Sequence, residues 1–176
     1  MIQILRVFIF YALFISFVAH SQGTVKPLPE IANLSEIATQ LKLSEFNSKS
    51  FQRKLKVAVL DNGFYGYEAE VGKSLPAATK YESGKASSAD NIENKSFHGL
   101  YMAKIMADLI KASGAKADYE LTLFNTFGYT KFAGAVEAVI RERFDLVLYS
   151  QVWEFGGNGD GQGFINKLVN QALNAG

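Results

Sequence analysis

Two short segments of this 176-residue chain carry the residue types of a carboxylate–imidazole pair. In the first, the apolar run VAVL stops at Asp61, and Asn62 and Gly63 follow at once. In the second, His98 and Gly99 open the amphipathic stretch HGLYMAKIMADL. A carboxylate that accepts a hydrogen bond from Nδ1 of an imidazole fixes the tautomer of the ring and stabilises its charged form. Because an imidazole titrates near neutral pH, the pair predicts general base chemistry.

Each residue also has an ordinary structural interpretation. Asp-Asn-Gly is a common turn after a strand, and a single histidine at the start of a helix is most often a surface residue. The occurrence of both residues together favours the chemical interpretation, because Asp61 ends an apolar strand and His98 begins a helix later in the chain. Ser150 is not a good nucleophile candidate, since it ends an apolar strand without the strained turn of G-x-S-x-G.

The elements that must position these residues alternate between strand and helix. Apolar runs predict strands and a 3.6-residue period predicts helices. An alternating order indicates βαβ units, an α/β fold and a mainly parallel sheet, whose ligands bind beyond the carboxyl ends of the strands. Asp61 and Ser150 both end strands at that edge. The predicted strands are Lys56–Leu60, Thr79–Tyr81, Tyr119–Phe124 and Asp145–Ser150, and the predicted helices are His98–Ala112, Lys131–Arg143 and Phe164–Ala175.

The segments before the first strand have a different character. Residues 1–21 combine Arg6, the apolar run VFIFYALFISFVA and a small-residue site at Ala19-His20-Ser21, which predicts a secretory signal peptide. A membrane anchor is the alternative, although the run is short for a span. Residues 22–55 read as an extension with one short helix, residues 56–176 as the domain, and residues 64–97 as mostly surface loops. We expect a secreted, periplasmic or cell-envelope protein with no membrane attachment after signal removal.

Bulk composition excludes several classes of function. The formal net charge is +1, which gives no electrostatic case for binding nucleic acid or an anionic membrane. The chain has no cysteine, so disulfides, thiolate catalysis and cysteine-bound metals are excluded. Hydrophobic residues make up 48% of the chain, enough for a folded core.

The two motifs resemble those of a known family. The segment VAVLDNG ending at Gly63 is similar to the V-x-V-x-D-[ST]-G motif of the subtilisin-like serine proteases, and HGLYMA starting at His98 is similar to their H-G-T-x-V-A motif. The strand FDLVLYS ending at Ser150 resembles their D-V-I-N-M-S strand, and FINKLVNQALNAG resembles the helix before their A-A-G-N segment. The order Asp, then His, fits that family. The resemblance covers Lys56 to Gly176.

The resemblance implies a three-layer, subtilisin-like α/β domain that is incomplete at its C-terminal side. It implies a serine endopeptidase in which Asp61 orients His98, while the nucleophile serine and the oxyanion-hole asparagine lie beyond Gly176. Backbone at Ser150 and at Gly156 and Gly157 would pair with an extended peptide substrate. By this reading the 176 residues alone are inactive, and strand 145–150 is left as an exposed sheet edge.

Departures from the family pattern keep a second hypothesis open. Asn62, Leu100 and Lys104 stand where the family has other residues. They motivate a non-catalytic relative that binds peptides, or a truncated pseudoenzyme. The sequence leaves cleavage specificity and oligomeric state undetermined.

A glycine-rich loop after the last strand motivates a third hypothesis, an unrelated α/β domain that binds a small ligand or calcium. Residues 158–163 match the first half of a calcium loop, but Val169 stands where a bidentate glutamate is required. We therefore predict no metal site and no required cofactor; structural calcium is left open without support. Nearby, Trp153 and Phe155 either line the cleft or cover the edge of the core.

Overall fold

The computed structural model describes residues 34–46, 52–82, 96–114, 118–153 and 162–175. The predicted signal peptide, most of the N-terminal extension, and Phe155, Gly156 and Gly157 lie outside these residues. The helices in the described part are α1 (Leu34–Gln40), α2 (His98–Ala112), α3 (Tyr129–Glu142) and α4 (Phe164–Asn174), with short 3-10 turns at Leu43–Phe46 and Tyr67–Ala69. The strands are β1 (Leu55–Asp61), β2 (Thr79–Glu82), β3 (Tyr119–Asn125) and β4 (Leu146–Tyr149).

The four strands form one parallel sheet in the order β2-β3-β1-β4. Strand β1 is central and pairs with β3 from Leu55 to Asp61 and with β4 from Val57 to Leu60. The predicted α/β fold with a mainly parallel sheet is confirmed. All carboxyl ends of the strands therefore meet at one edge, where Asp61 lies.

Alternation along β1 creates a separate core on each face of the sheet. Val57 and Val59 pack with α2 residues such as Leu100, whereas Ala58 and Leu60 pack with α3 residues such as Phe132. Since successive side chains of a strand point to opposite faces, the continuous apolar run VAVL serves both layers. The result is a helix–sheet–helix arrangement in three layers.

The predicted helices form close to their predicted bounds, and α2 coincides with its prediction. The largest shift is in α3, which begins at Tyr129, two residues earlier than predicted, after Gly128 at a φ of 89°. It ends where Arg143 adopts a left-handed φ of 55°.

The prediction of surface loops over residues 64–97 is wrong for part of that segment. Phe64 and Leu75 are buried and belong to the core on the α2 side of the sheet. The Phe64 ring packs edge-on against Tyr81 of β2. Both residues lie in the segment FYGYEAEVGKSLPAA, which has no regular apolar period, so no periodic pattern indicated their burial.

Strand β4 is an edge of the described sheet, although its residues are apolar on both faces. Leu146 and Val147 point to opposite faces and are 39% and 36% exposed. An ion pair fixes the start of this strand, because Asp145 accepts hydrogen bonds from the Arg53 guanidinium and from the Lys56 N–H. The Arg53 guanidinium lowers the pKa of Asp145. This contact sets the register of β4 against β1 and therefore the position of Ser150.

Candidate active site

The turn after β1 positions the first turn of α2. Gly63 has a φ of 85°, a left-handed conformation that favours glycine. Its carbonyl oxygen accepts the N–H groups of Gly99 at 2.9 Å and Leu100 at 3.3 Å. A Cβ on Gly99 would lie 2.8 Å from the Phe64 ring and 2.9 Å from the Gly63 oxygen. Both glycines of the two sequence motifs are therefore required by this close approach of turn and helix.

The approach brings together the two residues that the sequence predicts as a pair. Nδ1 of His98 lies 2.8 Å from Oδ1 of Asp61, and the Asn62 N–H donates to the same oxygen at 2.5 Å. The Asp61 side chain is 1% exposed and the His98 side chain 57% exposed. A buried carboxylate thus carries an imidazole that faces solvent.

The environment determines the protonation state of His98. The hydrogen bond to Asp61 raises the pKa of the imidazole, and partial burial of the ring opposes that rise. In the neutral ring, Nδ1 carries the proton that it donates to Asp61, so Nε2 is the free acceptor. This tautomer is the one that a general base needs.

Ser150 lies beside Asp61, as the register of the sheet requires. Tyr149 pairs with Leu60, so the residues that follow them in the chain, Ser150 and Asp61, are neighbours on the same face. The Ser150 hydroxyl donates to Oδ2 of Asp61. The predicted contact of the Ser150 backbone with substrate stays a prediction, as do the roles of Gly156 and Gly157.

Thr126 is a part of the site that the sequence analysis missed. It is fully buried, and its N–H and hydroxyl approach the Asp61 carbonyl oxygen at 2.8 and 3.1 Å. Its hydroxyl also lies 2.8 Å from Oε1 of Gln151. Thr126 therefore links the carboxyl ends of β1, β3 and β4. A polar residue directly after an apolar strand was the available signal.

Lys104 of α2 forms an ion pair with Glu70. Its Nζ lies 3.1 Å from Oε2 of Glu70, and the Ser74 hydroxyl donates to the same oxygen. The contacts with Ser74 and Lys104 lower the pKa of Glu70. This ion pair ties α2 to the segment before β2 and does not reach Asp61 or His98.

Trp153 belongs to the edge of the core. It packs with Phe132 at a ring-centroid distance of 5.6 Å, and its Nε1–H donates to the Tyr149 hydroxyl. Burial raises the pKa of Tyr149 to about 12. Tyr149 is therefore neutral wherever His98 titrates.

In the part of the chain that the structure describes, no group of three or more His, Cys, Asp or Glu side chains is arranged to hold a metal ion. Among the same residues, no helix has both the length and the apolar character needed to span a bilayer. Most of the glycine-rich segment 158–163 lies outside the described residues.

Comparison of the chain with models of protein families, with curated proteins and with solved structures gives no significant match. The chemistry of the site must therefore be argued from its own geometry.

Proposed function

We propose that this chain carries two members of the catalytic triad of a subtilisin-like serine endopeptidase. The observation that carries the proposal is the 2.8 Å contact between His98 Nδ1 and the buried carboxylate of Asp61. It lies at the carboxyl edge of a parallel sheet, where α/β proteins bind their ligands. The substrates would be proteins or peptides, and no cofactor is required.

Each residue has a defined role in this chemistry. His98 takes the proton of the attacking serine at Nε2 and later gives it to the leaving amine. Asp61 keeps Nδ1 protonated and stabilises the imidazolium that forms. The serine would be supplied by residues after Gly176, together with the donor that stabilises the oxyanion. Exposure of the His98 ring leaves room for that serine and for substrate.

Within the sheet that the described residues form, β4 is an edge strand, and this position fits a longer protein. A strand that presents apolar side chains to both faces is typical of the interior of a parallel sheet, yet Leu146 and Val147 are partly exposed. A further strand pairing with β4 would satisfy its edge backbone groups, and the side chains of that strand would reduce the exposure of Leu146 and Val147. The proposed export signal at residues 1–21 fits a peptidase that acts outside the cytoplasm.

The experiment begins with the coding sequence after the codon for Gly176. The proposal expects an open frame with an A-A-G-N-like segment and a G-T-S motif. The encoded protein should hydrolyse a peptide substrate and react with a fluorophosphonate. His98→Ala should reduce turnover by about 10⁶-fold, because removal of a triad histidine has an effect of that order.

A control variant separates catalysis from folding. Lys104→Met removes an ion pair on the same helix that does not reach the pair, so turnover should stay within about threefold. A stop codon directly after Gly176, or full hydrolysis by His98→Ala, would contradict the proposal.

A non-catalytic, peptide-binding relative is the second candidate. The motif departures favour it, because Asn62 stands where the subtilisin-like motif has Ser or Thr, and Leu100 stands where it has Thr. A longer protein that binds extended peptides but does not react with a fluorophosphonate would support this candidate over the peptidase.

A further inference from the structure

The Asp61 carboxylate has a third hydrogen-bond donor besides Asn62 and His98. Oδ1 accepts the Asn62 N–H and His98 Nδ1, at 2.5 and 2.8 Å. Oδ2 accepts the hydroxyl of Ser150. The Asp61 side chain is only 1% exposed, so protein groups supply the hydrogen bonds of both carboxylate oxygens.

The position of Ser150 is fixed from both sides. Before it, Tyr149 is held in register with Leu60 of β1. After it, the side chain of Gln151 contacts the Thr126 hydroxyl, which in turn lies 3.1 Å from the Asp61 carbonyl oxygen. The Ser150 hydroxyl is thus a fixed part of the arrangement at the end of β4.

We infer that Ser150 is a positioning residue of the Asp61–His98 pair. Its hydroxyl holds Oδ2 of the Asp61 carboxylate and offsets part of the negative charge that acts on the imidazole. This inference rests on the proposed function, because it assigns a role to Ser150 within that same site. The hydroxyl is then an internal contact, whereas the sequence analysis gave Ser150 a role in binding substrate. The two roles are compatible, because the expected substrate contact uses the backbone of Ser150 and leaves the hydroxyl to Asp61.

The surrounding charges determine the direction of the effect. Among the described residues, the titratable groups at the pair are Asp61 at the end of β1, His98 of α2 and Tyr149 of β4. The end of β3 contributes the neutral polar groups Asn125 and Thr126. Tyr149 does not titrate near neutral pH. When the Ser150 hydroxyl is removed, its dipole no longer offsets the carboxylate, so the negative potential at His98 increases. The imidazole should then hold its proton to higher pH.

The test is an NMR titration of the imidazole Cε1–H in the full chain. The chain has two histidines, His20 and His98, and a His20→Gln variant assigns the two signals. In Ser150→Ala, the His98 midpoint should rise by about 0.5 to 1 pH unit. A change of this size is expected when the Asp61 carboxylate, which also contacts the imidazole, loses one hydrogen bond. In Ser150→Thr, which keeps the hydroxyl, the midpoint should return to that of the wild type.

The outcomes distinguish this inference from the proposed function. The role of the hydroxyl is overturned if the His98 midpoint in Ser150→Ala is unchanged or lower, or if Ser150→Thr shifts the midpoint as much as Ser150→Ala does. In either case, a wild-type His98 midpoint above the ordinary value leaves the Asp61–His98 pair intact. A wild-type midpoint at the ordinary value of about 6.5 would instead remove the pair on which both rest.

Discussion

At the scale of single residues, the His98 imidazole contacts Asp61 among the described residues, and the Asp61 side chain is almost completely buried. The hydrogen bond to Asp61 raises the pKa of the imidazole above its unfolded value. The folded state therefore binds more protons than the unfolded state between about pH 6.5 and the folded pKa. The stabilisation is fully present below about pH 6.5 and is lost as pH rises through the folded pKa.

This linkage predicts a pH dependence of stability. The free energy of unfolding of the wild type should decrease as pH rises from about 6.5 through the folded pKa of His98. The decrease should be absent in His98→Gln, which cannot titrate. Urea denaturation at a series of pH values measures the difference between the two proteins. Parallel pH profiles would show that His98 titrates independently of folding.

At the scale of secondary-structure elements, the site depends on the close approach of the β1 turn and helix α2. Gly99→Ala should lower the free energy of unfolding by about 1 to 3 kcal/mol, because the new Cβ would meet the Phe64 ring and the Gly63 oxygen. Gly134→Ala in α3 is the matched control, since its Cβ would meet nothing within 4 Å. That variant should gain up to about 1 kcal/mol from helix propensity. Equal effects of the two substitutions on the urea midpoint would contradict this account.

The elements themselves were predictable from the sequence, but the contacts at their ends were predicted only in part. Apolar runs and helical periods gave the strands and helices, and the Asp61–His98 contact followed from the two motifs. The hydrogen bond from Ser150 to Asp61 depends on the register of β4 against β1, which a single sequence does not specify. The Thr126 contacts depend on that register and on the order β3-β1-β4. The burial of Phe64 and Leu75 had no periodic signal.

At the scale of the whole molecule, β4 is an edge strand of the sheet that the described residues form, and it carries the partly exposed apolar side chains of Leu146 and Val147. Unpaired backbone groups beside apolar side chains are a template for pairing with another chain. The 176-residue chain should therefore associate at high concentration, as measured by sedimentation velocity. Val147→Lys should reduce that association, because a charged side chain on an edge strand opposes pairing.

A second lysine variant tests whether the edge itself is responsible. Leu173→Lys places the same charge on α4 at a residue that is also exposed, so it should leave association unchanged. A monodisperse wild type at all concentrations, or an equal effect of both lysine variants, would show that β4 is not the associating surface.

The central claim is that Asp61 and His98 act as one unit, and titration of His98 in wild type and Asp61→Asn tests it most directly. The asparagine keeps the shape of the side chain but removes its charge. The account predicts a wild-type imidazole midpoint above about 6.5 and a lower midpoint in Asp61→Asn. Identical midpoints in the two proteins would contradict it, because His98 would then titrate without reference to the carboxylate beside it.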